Sequence, residues 1–184
     1  MPSSVKASKP PDGFRYVEEL MLPEVEDELI REIEKLPLKE FEFGEYTGRR
    51  RVISFGWRYN FKASSLTRAE AIPPFLEELR KRAAAFADLP VDRLAHALIS
   101  EYTPGAPIGW HRDKPVYEDV IGISLASACR FRFRRKNGTS WERYSFDLQP
   151  RSVYLLRGAA RTDWEHSIPA VDQLRYSITF RSLK

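Results

Sequence analysis

Cysteine is nearly absent from this 184-residue chain, where Cys129 stands alone. A single thiol excludes an intrachain disulfide and any zinc site built from several thiolates, and its plain reading is a small buried hydrophobe. A reducing, cytoplasmic location fits that usage. Histidine is scarce too, with only His96, His111 and His166 available for an imidazole-based metal site. No apolar run approaches the ~20 residues of a membrane helix, so no membrane partner is expected. The first dozen residues lack the apolar core of a secretory signal.

What is present is enough chain for one ordinary domain that needs no structural staple, so a bound metal would be functional. The formal net charge of +4 permits a polyanionic partner without identifying one. Residues 1–12 mix Pro, Ser and Lys without periodicity and read as a flexible arm, leaving residues 13–184 as a single domain. Pro23 suits a first helical turn, and Val25, Leu29, Ile33 and Leu36 recur at helical spacing until Pro37. A second helix is expected over Pro74–Ala87, with Phe75, Leu79 and Phe86 inward. Between the helices, Ile53, Phe55, Trp57, Tyr59 and Phe61 alternate with polar residues or glycine, which is the period of a strand.

Beyond residue 94 short apolar or alternating runs follow one another, and Asn137-Gly138 between two of them predicts a type I′ hairpin turn. Two helices followed by about seven or eight strands give an α+β, mainly β fold, an antiparallel sandwich or jelly roll braced by two N-terminal helices.

His111 and Asp113 lie two apart, so on a strand both would project from one face and reach one ion. The pair alone arises often by chance. A jelly roll can bring a third ligand from a distant strand, and His166 is the candidate, because His96 in Leu94-Ala95-His96-Ala97-Leu98 reads as a packed histidine. Two histidines and one carboxylate leave positions open on six-coordinate Fe(II) for O2 and a co-substrate, although zinc accepts the same three groups. As an exposed ligand, Asp113 is expected to add little to the stability of the core. Further on, Leu174, Tyr176, Ile178 and Phe180 alternate with Arg175, Ser177, Thr179 and Arg181, which reads either as a solvated sheet face or as an anion-reading one.

Taken together, Glu101-Tyr102-Thr103-Pro104-Gly105-Ala106, Gly109-Trp110-His111-Arg112-Asp113, His166-Ser167-Ile168 and Arg175-Tyr176-Ser177-Ile178-Thr179-Phe180-Arg181 resemble, in order and spacing over about residues 98–182, the AlkB-like family of Fe(II)/2-oxoglutarate dioxygenases. The resemblance implies a double-stranded β-helix over 94–184, helices and a nucleotide-recognition lid over 13–93, and His111, Asp113 and His166 as iron ligands. By position it puts Arg175 at the distal carboxylate of 2-oxoglutarate, Tyr102 as a hydrogen-bond donor to it, and Arg181 near its other carboxylate. Ser100 and Ser177 stand where the family has asparagines and reach less far. The implied reaction consumes O2 and 2-oxoglutarate, releases succinate and CO2, hydroxylates a C–H bond, and frees an aldehyde when that carbon is N-linked.

For such an enzyme, acting as a monomer, the implied partner is alkylated DNA or RNA, with single strands plausible. Candidate contacts are Arg49, Arg50, Arg51, Trp57 and Tyr59 in the lid region, and Arg132 and Arg134, which alternate with Phe131 and Phe133. Each has a bland counterpart: an ordinary core strand, or an outer sheet face. Trp110 reads as core. Repair members carry an acidic residue two positions after the iron-binding aspartate, where this chain has Pro115, so Glu118 or Asp119 would serve only if their loop folds back. The same chemistry on a protein side chain or small metabolite, and a non-catalytic nucleic-acid-binding module, remain alternatives.

Overall fold

Alternation along the strands sorts side chains onto two sheets that face each other, with both helices outside the larger one. The computed structural model describes residues 4–6, 9–43 and 46–184, with the backbone alone for 4–6, 42–43 and 46–48. Strands β1 (Ser4–Lys6) and β2 (Phe14–Val17) precede α1 (Pro23–Glu34); β3 (Lys39–Phe43), β4 (Tyr46–Phe55), β5 (Trp57–Asn60) and β6 (Ser65–Arg68) follow. Helix α2 (Glu77–Phe86), entered through a 3-10 turn at Pro74–Leu76, leads to β7 (His96–Tyr102), β8 (Ile108–His111), β9 (Tyr117–Leu125) and β10 (Cys129–Asn137). The chain ends with β11 (Ser140–Leu148), β12 (Ser152–Leu156), α3 (Ala159–Thr162), β13 (Glu165–Ile168) and β14 (Arg175–Leu183).

The larger sheet runs β2-β12-β9-β14-β7-β4-β3, the smaller β1-β11-β10-β13-β8, and β5-β6 form a separate hairpin. Pairing is antiparallel except where β1 joins β11. The expected arm over 1–12 lies partly outside the described residues; of the remainder, Ser4–Lys6 pair with Trp141–Arg143 and the Pro11 carbonyl accepts from the Phe14 N–H.

Helix α1 starts at Pro23, whose missing N–H costs nothing in a first turn, and Glu24 and Glu26 sit favourably at its positive end. Its Leu29 and Ile33, with Leu79 and Ala83 of α2, pack on Ile99, Ile121, Ile123, Ile178 and Phe180 of the larger sheet. The other face of that sheet meets Phe131 and Phe133 of β10 across a second core with Tyr154 and Leu156. Each fully buried phenylalanine there contributes about 1.5–3 kcal/mol. Gly122 is required in this layer, because a Cβ on it would run into the Tyr154 ring.

Two expectations are corrected. The alternating run 53–61 is not one strand: Gly56, at φ 74°, breaks it, and the chain leaves the larger sheet to build the β5-β6 hairpin. The break is tight, since a side chain at Gly56 would strike the Ala95 carbonyl. At the β10-β11 turn Asn137 pairs with Ser140, so the central residues are Gly138 and Thr139. Positive φ occurs at Gly138 and not at Thr139, which is the type II′ pattern rather than I′.

Candidate active site

Register places His111 of β8 directly opposite His166 of β13, with ring centroids 4.2 Å apart. Strand β8 ends at His111, so Asp113 lies in the following loop and reaches the pair through loop geometry, not strand alternation. Its Oδ1 is 3.8 Å from Nε2 of His111 and 3.6 Å from Nε2 of His166. One ligand atom from each of the three lies within 4.8 Å of the others, the one such cluster among the described residues. The third histidine, His96, is buried against Tyr117, outside the trio.

Protonation suits a cation site. His111 Nδ1 is 2.8 Å from the Gly109 carbonyl, which can only accept, so Nδ1 carries the proton and Nε2 offers its lone pair to the cluster. Burial pushes the His166 imidazole down to about 3, helped by the neighbouring His111. Burial would push Asp113 up, but Arg181 and then the two histidines outweigh it and hold the carboxylate well below its usual range. Two neutral imidazoles and one ionised carboxylate thus converge, a donor set that fits non-haem Fe(II). Asp113 is also buried, contrary to its expected exposure, and Arg181 donates through Nε to its Oδ2 at 2.5 Å. Arg181 therefore engages the aspartate directly.

Next to the trio, Arg175, Ser177 and Arg181 of β14 face into the barrel, since the alternate residues Tyr176, Ile178 and Phe180 pack on the helices. Arg175 is 1% exposed; its Nε donates to Ser124 Oγ at 3.0 Å, it lies 4.9 Å over the Tyr102 ring, and its Nη1 has no partner. A buried cation with an unsatisfied N–H is costly unless an anion completes it, and a carboxylate matches that fork. Ser100 and Ser177 form a buried cross-strand pair on the same face. Cys129 is half-buried rather than fully packed, with burial pushing its thiol up and Arg175 beside it opposing.

The three consecutive arginines of β4 part company. Arg49 is exposed. Arg51 forms a two-pronged ion pair with Glu101 at 2.7 and 2.9 Å. Arg50, on the opposite side of β4 by alternation, stacks over Phe41 at 4.1 Å and keeps its Nε buried without a hydrogen-bond partner. Tyr59 and Phe61 lie edge to face at 5.1 Å, with the Lys114 ammonium 5.3 and 5.1 Å from their rings. Trp57 packs against Arg68 at 4.4 Å.

Arg132 and Arg134 lie on the outer face of the smaller sheet, 5.0 and 4.5 Å from the Trp110 ring. Trp110 is thus half-buried outside rather than core, because its neighbour His111 occupies the inward face. Glu118 pairs with Arg93 and Asp119 with Arg157 and Ser182, so neither replaces the acidic residue missing at Pro115. Arg161 had no signal in the sequence. Held in the unforeseen α3, it donates to the carbonyls of Lys114 at 2.5 Å and Tyr117 at 2.8 Å, fixing the loop that follows Asp113.

A jelly roll with a His–Asp–His cluster and a buried arginine that keeps one N–H unpartnered defines a class of metal-dependent oxygenase. The chain belongs to the 2OG-Fe(II) oxygenase superfamily, whose family model matches residues 23–181, and Fe(II), 2-oxoglutarate and O2 are the cofactor and co-substrates of that family. It is 28% identical over 163 residues to the Alkylated DNA repair protein ALKBH8 homolog of Arabidopsis thaliana, covering 73% of this chain and 46% of that protein. It is 30% identical over 196 residues to an uncharacterised protein of Acanthamoeba polyphaga mimivirus, covering 97% of this chain and 89% of that one. Among solved structures, OsALKBH1 superposes with TM-score 0.73 at 17% identity, over 96% of this chain and 99% of its own. A Pseudomonas putida prolyl-4-hydroxylase superposes at 0.62 and 14%, over 94% and 93%. At these identities the two structures speak for the fold, a double-stranded β-helix.

Proposed function

We propose that the protein dealkylates N-alkylated bases of DNA or RNA oxidatively, with His111, Asp113 and His166 holding Fe(II). The observation that carries the oxygenase reading is Arg175, a buried cation with a free N–H on the inward face of the larger sheet, across from the smaller sheet that carries His111 and His166. Bound Fe(II) with 2-oxoglutarate and O2 supplies the oxidising power that hydroxylates a substrate C–H bond, releasing succinate and CO2. The protein's residues supply position and charge. Arg175 holds the distal carboxylate of 2-oxoglutarate, Tyr102 donates its O–H to the same molecule, and Ser100 and Ser177 line its seat. Arg181 keeps Asp113 ionised and turned so that Oδ1 faces the histidines. Phe131, stacked with the His166 ring at 5.5 Å and backed by Tyr154 at 4.9 Å, keeps water from that side of the site.

Nucleic acid as substrate is supported by the relative named for alkylated DNA repair and by the lid, where Arg50, Phe41, Tyr59 and Phe61 join aromatic faces to a cation. Arg132 and Arg134 supply phosphate contacts on the neighbouring face. A second reading, oxidation of a protein side chain, draws on the prolyl-4-hydroxylase fold and on the missing acidic residue at Pro115.

Anaerobic addition of Fe(II) and 2-oxoglutarate should give a weak visible charge-transfer band. Oxygen should then yield succinate, and methylated oligonucleotides should yield formaldehyde. Absence of both band and succinate refutes the oxygenase; succinate without formaldehyde from any DNA or RNA favours the second reading.

A further inference from the structure

Building on base dealkylation as the activity, we infer that the favoured substrate is a neutral base with an oxo group beside the alkylated nitrogen, read by Arg50, rather than a cationic alkylated base. Arg51 faces out to Glu101, so alternation turns Arg50 toward the barrel mouth. There its guanidinium carbon lies 4.1 Å from the Phe41 ring centroid, and its Nε–H is buried and unpartnered. The groups that act on it electrostatically are Tyr102, Arg181 and Asp113, and it acts in turn on His111, so it stands beside the trio. A desolvated N–H without an acceptor is the counterpart of a ligand oxygen, because leaving it unmade forfeits the hydrogen bond it gave up in water.

Charge points the same way. The ionised groups that act on the trio among the described residues are Asp113 on one side and Arg50, Arg161 and Arg181 on the other. Fe(II) and the 2-oxoglutarate dianion cancel each other, so the mouth stays positive with both bound. Glu118 and Asp119, which follow Asp113 in sequence, are tied to Arg93 and Arg157, and Glu165, beside His166, is tied to Arg134. A base that carries a full positive charge when methylated would enter against this field, whereas a neutral base flanked by carbonyl oxygens offers Arg50 the acceptor it lacks.

N3-methylthymine is such a base, with a carbonyl on each side of the methylated nitrogen; N3-methylcytosine and N1-methyladenine are cationic at neutral pH. Single-stranded oligonucleotides containing one of each are the probes, read by formaldehyde release and by anisotropy with the Mn(II)- and 2-oxoglutarate-loaded protein without turnover. The wild type should favour the N3-methylthymine strand by at least about tenfold in kcat/KM and in affinity, the size of one charge-assisted hydrogen bond. Arg50→Met should bring both ratios close to parity, Arg50→Gln should do the same if the Met variant folds poorly, and Arg51→Met should leave them unchanged. A wild-type preference for the cationic bases, or ratios that survive both Arg50 replacements, overturns the inference alone. Succinate production without turnover of any methylated base overturns base dealkylation, and this inference with it; no succinate at all overturns the oxygenase.

Discussion

Removing either half of the Asp113–Arg181 pair should unfold the metal-free protein far more readily than a change at an ordinary metal ligand would. Both side chains are buried, at 4% and 12% exposure, and Arg181 Nε donates to Asp113 Oδ2 while Oδ1 faces the two histidines. Asp113→Ala leaves a guanidinium in the interior with only His96 Nδ1, 3.3 Å from its Nη1, to accept from it. Breaking a buried pair in this way costs about 3–5 kcal/mol, a fifth or more of the ~5–15 kcal/mol that hold a domain together. Arg181→Met should cost a similar amount by stranding Asp113. The double variant removes both charges and should recover part of the loss, giving a coupling of about 1.5–3 kcal/mol. Urea unfolding of the metal-free variants, compared at equal m-value, measures all three quantities. Single losses below about 1 kcal/mol, or strictly additive ones, would refute the buried-pair argument and show the aspartate to be solvated. A practical consequence is that loss of activity in Asp113→Ala identifies a ligand only if the variant is shown to be folded.

Arg175→Met should raise the KM for 2-oxoglutarate by about 100-fold, the loss of a charge-assisted carboxylate contact, while leaving metal-free stability unchanged or improved because the buried cation keeps one N–H unsatisfied and, beyond its Nε–H bond to Ser124 Oγ, pairs with no anion among the described residues. Titrating 2-oxoglutarate and urea against the same preparation tests both, and a destabilised variant with normal KM would contradict the assignment. The metal-free protein should also lose stability in mild acid. All three histidines are pulled below their ordinary value chiefly by burial, His166 to about 3. Their contribution is therefore present above about pH 6.5 and lost as the unfolded chain takes up protons below it, about 2 kcal/mol for His166 between pH 7 and pH 5. Melting temperatures flat across that range would exclude the assignment. Gly122→Ala should cost at least about 1–3 kcal/mol in overpacking, since its Cβ collides with Tyr154; normal unfolding by urea would show that ring to be free to move.

The sequence by itself determined the parts that depend on local period and chemical type. Helical spacing of Leu29 and Ile33 ended by Pro37, and alternation of Tyr176, Ile178 and Phe180 against Arg175, Ser177 and Arg181, are set by 3.6- and 2-residue geometry, and α1 and β14 follow them. The scarcity of histidine narrowed the metal candidates to very few. Tertiary structure alone decided whatever depended on distant neighbours. Gly56 breaks a continuous alternation because the Ala95 carbonyl occupies the space of a side chain, and Trp110 faces arginines because His111 takes the inward side. Arg49, Arg50 and Arg51 are chemically alike in sequence, yet Glu101 claims one and the barrel mouth another. Asp113 read as an exposed ligand until the fold brought up Arg181 from the last strand, 68 residues away. Burial and pairing are properties of the assembled sheets, so no local pattern could have encoded them.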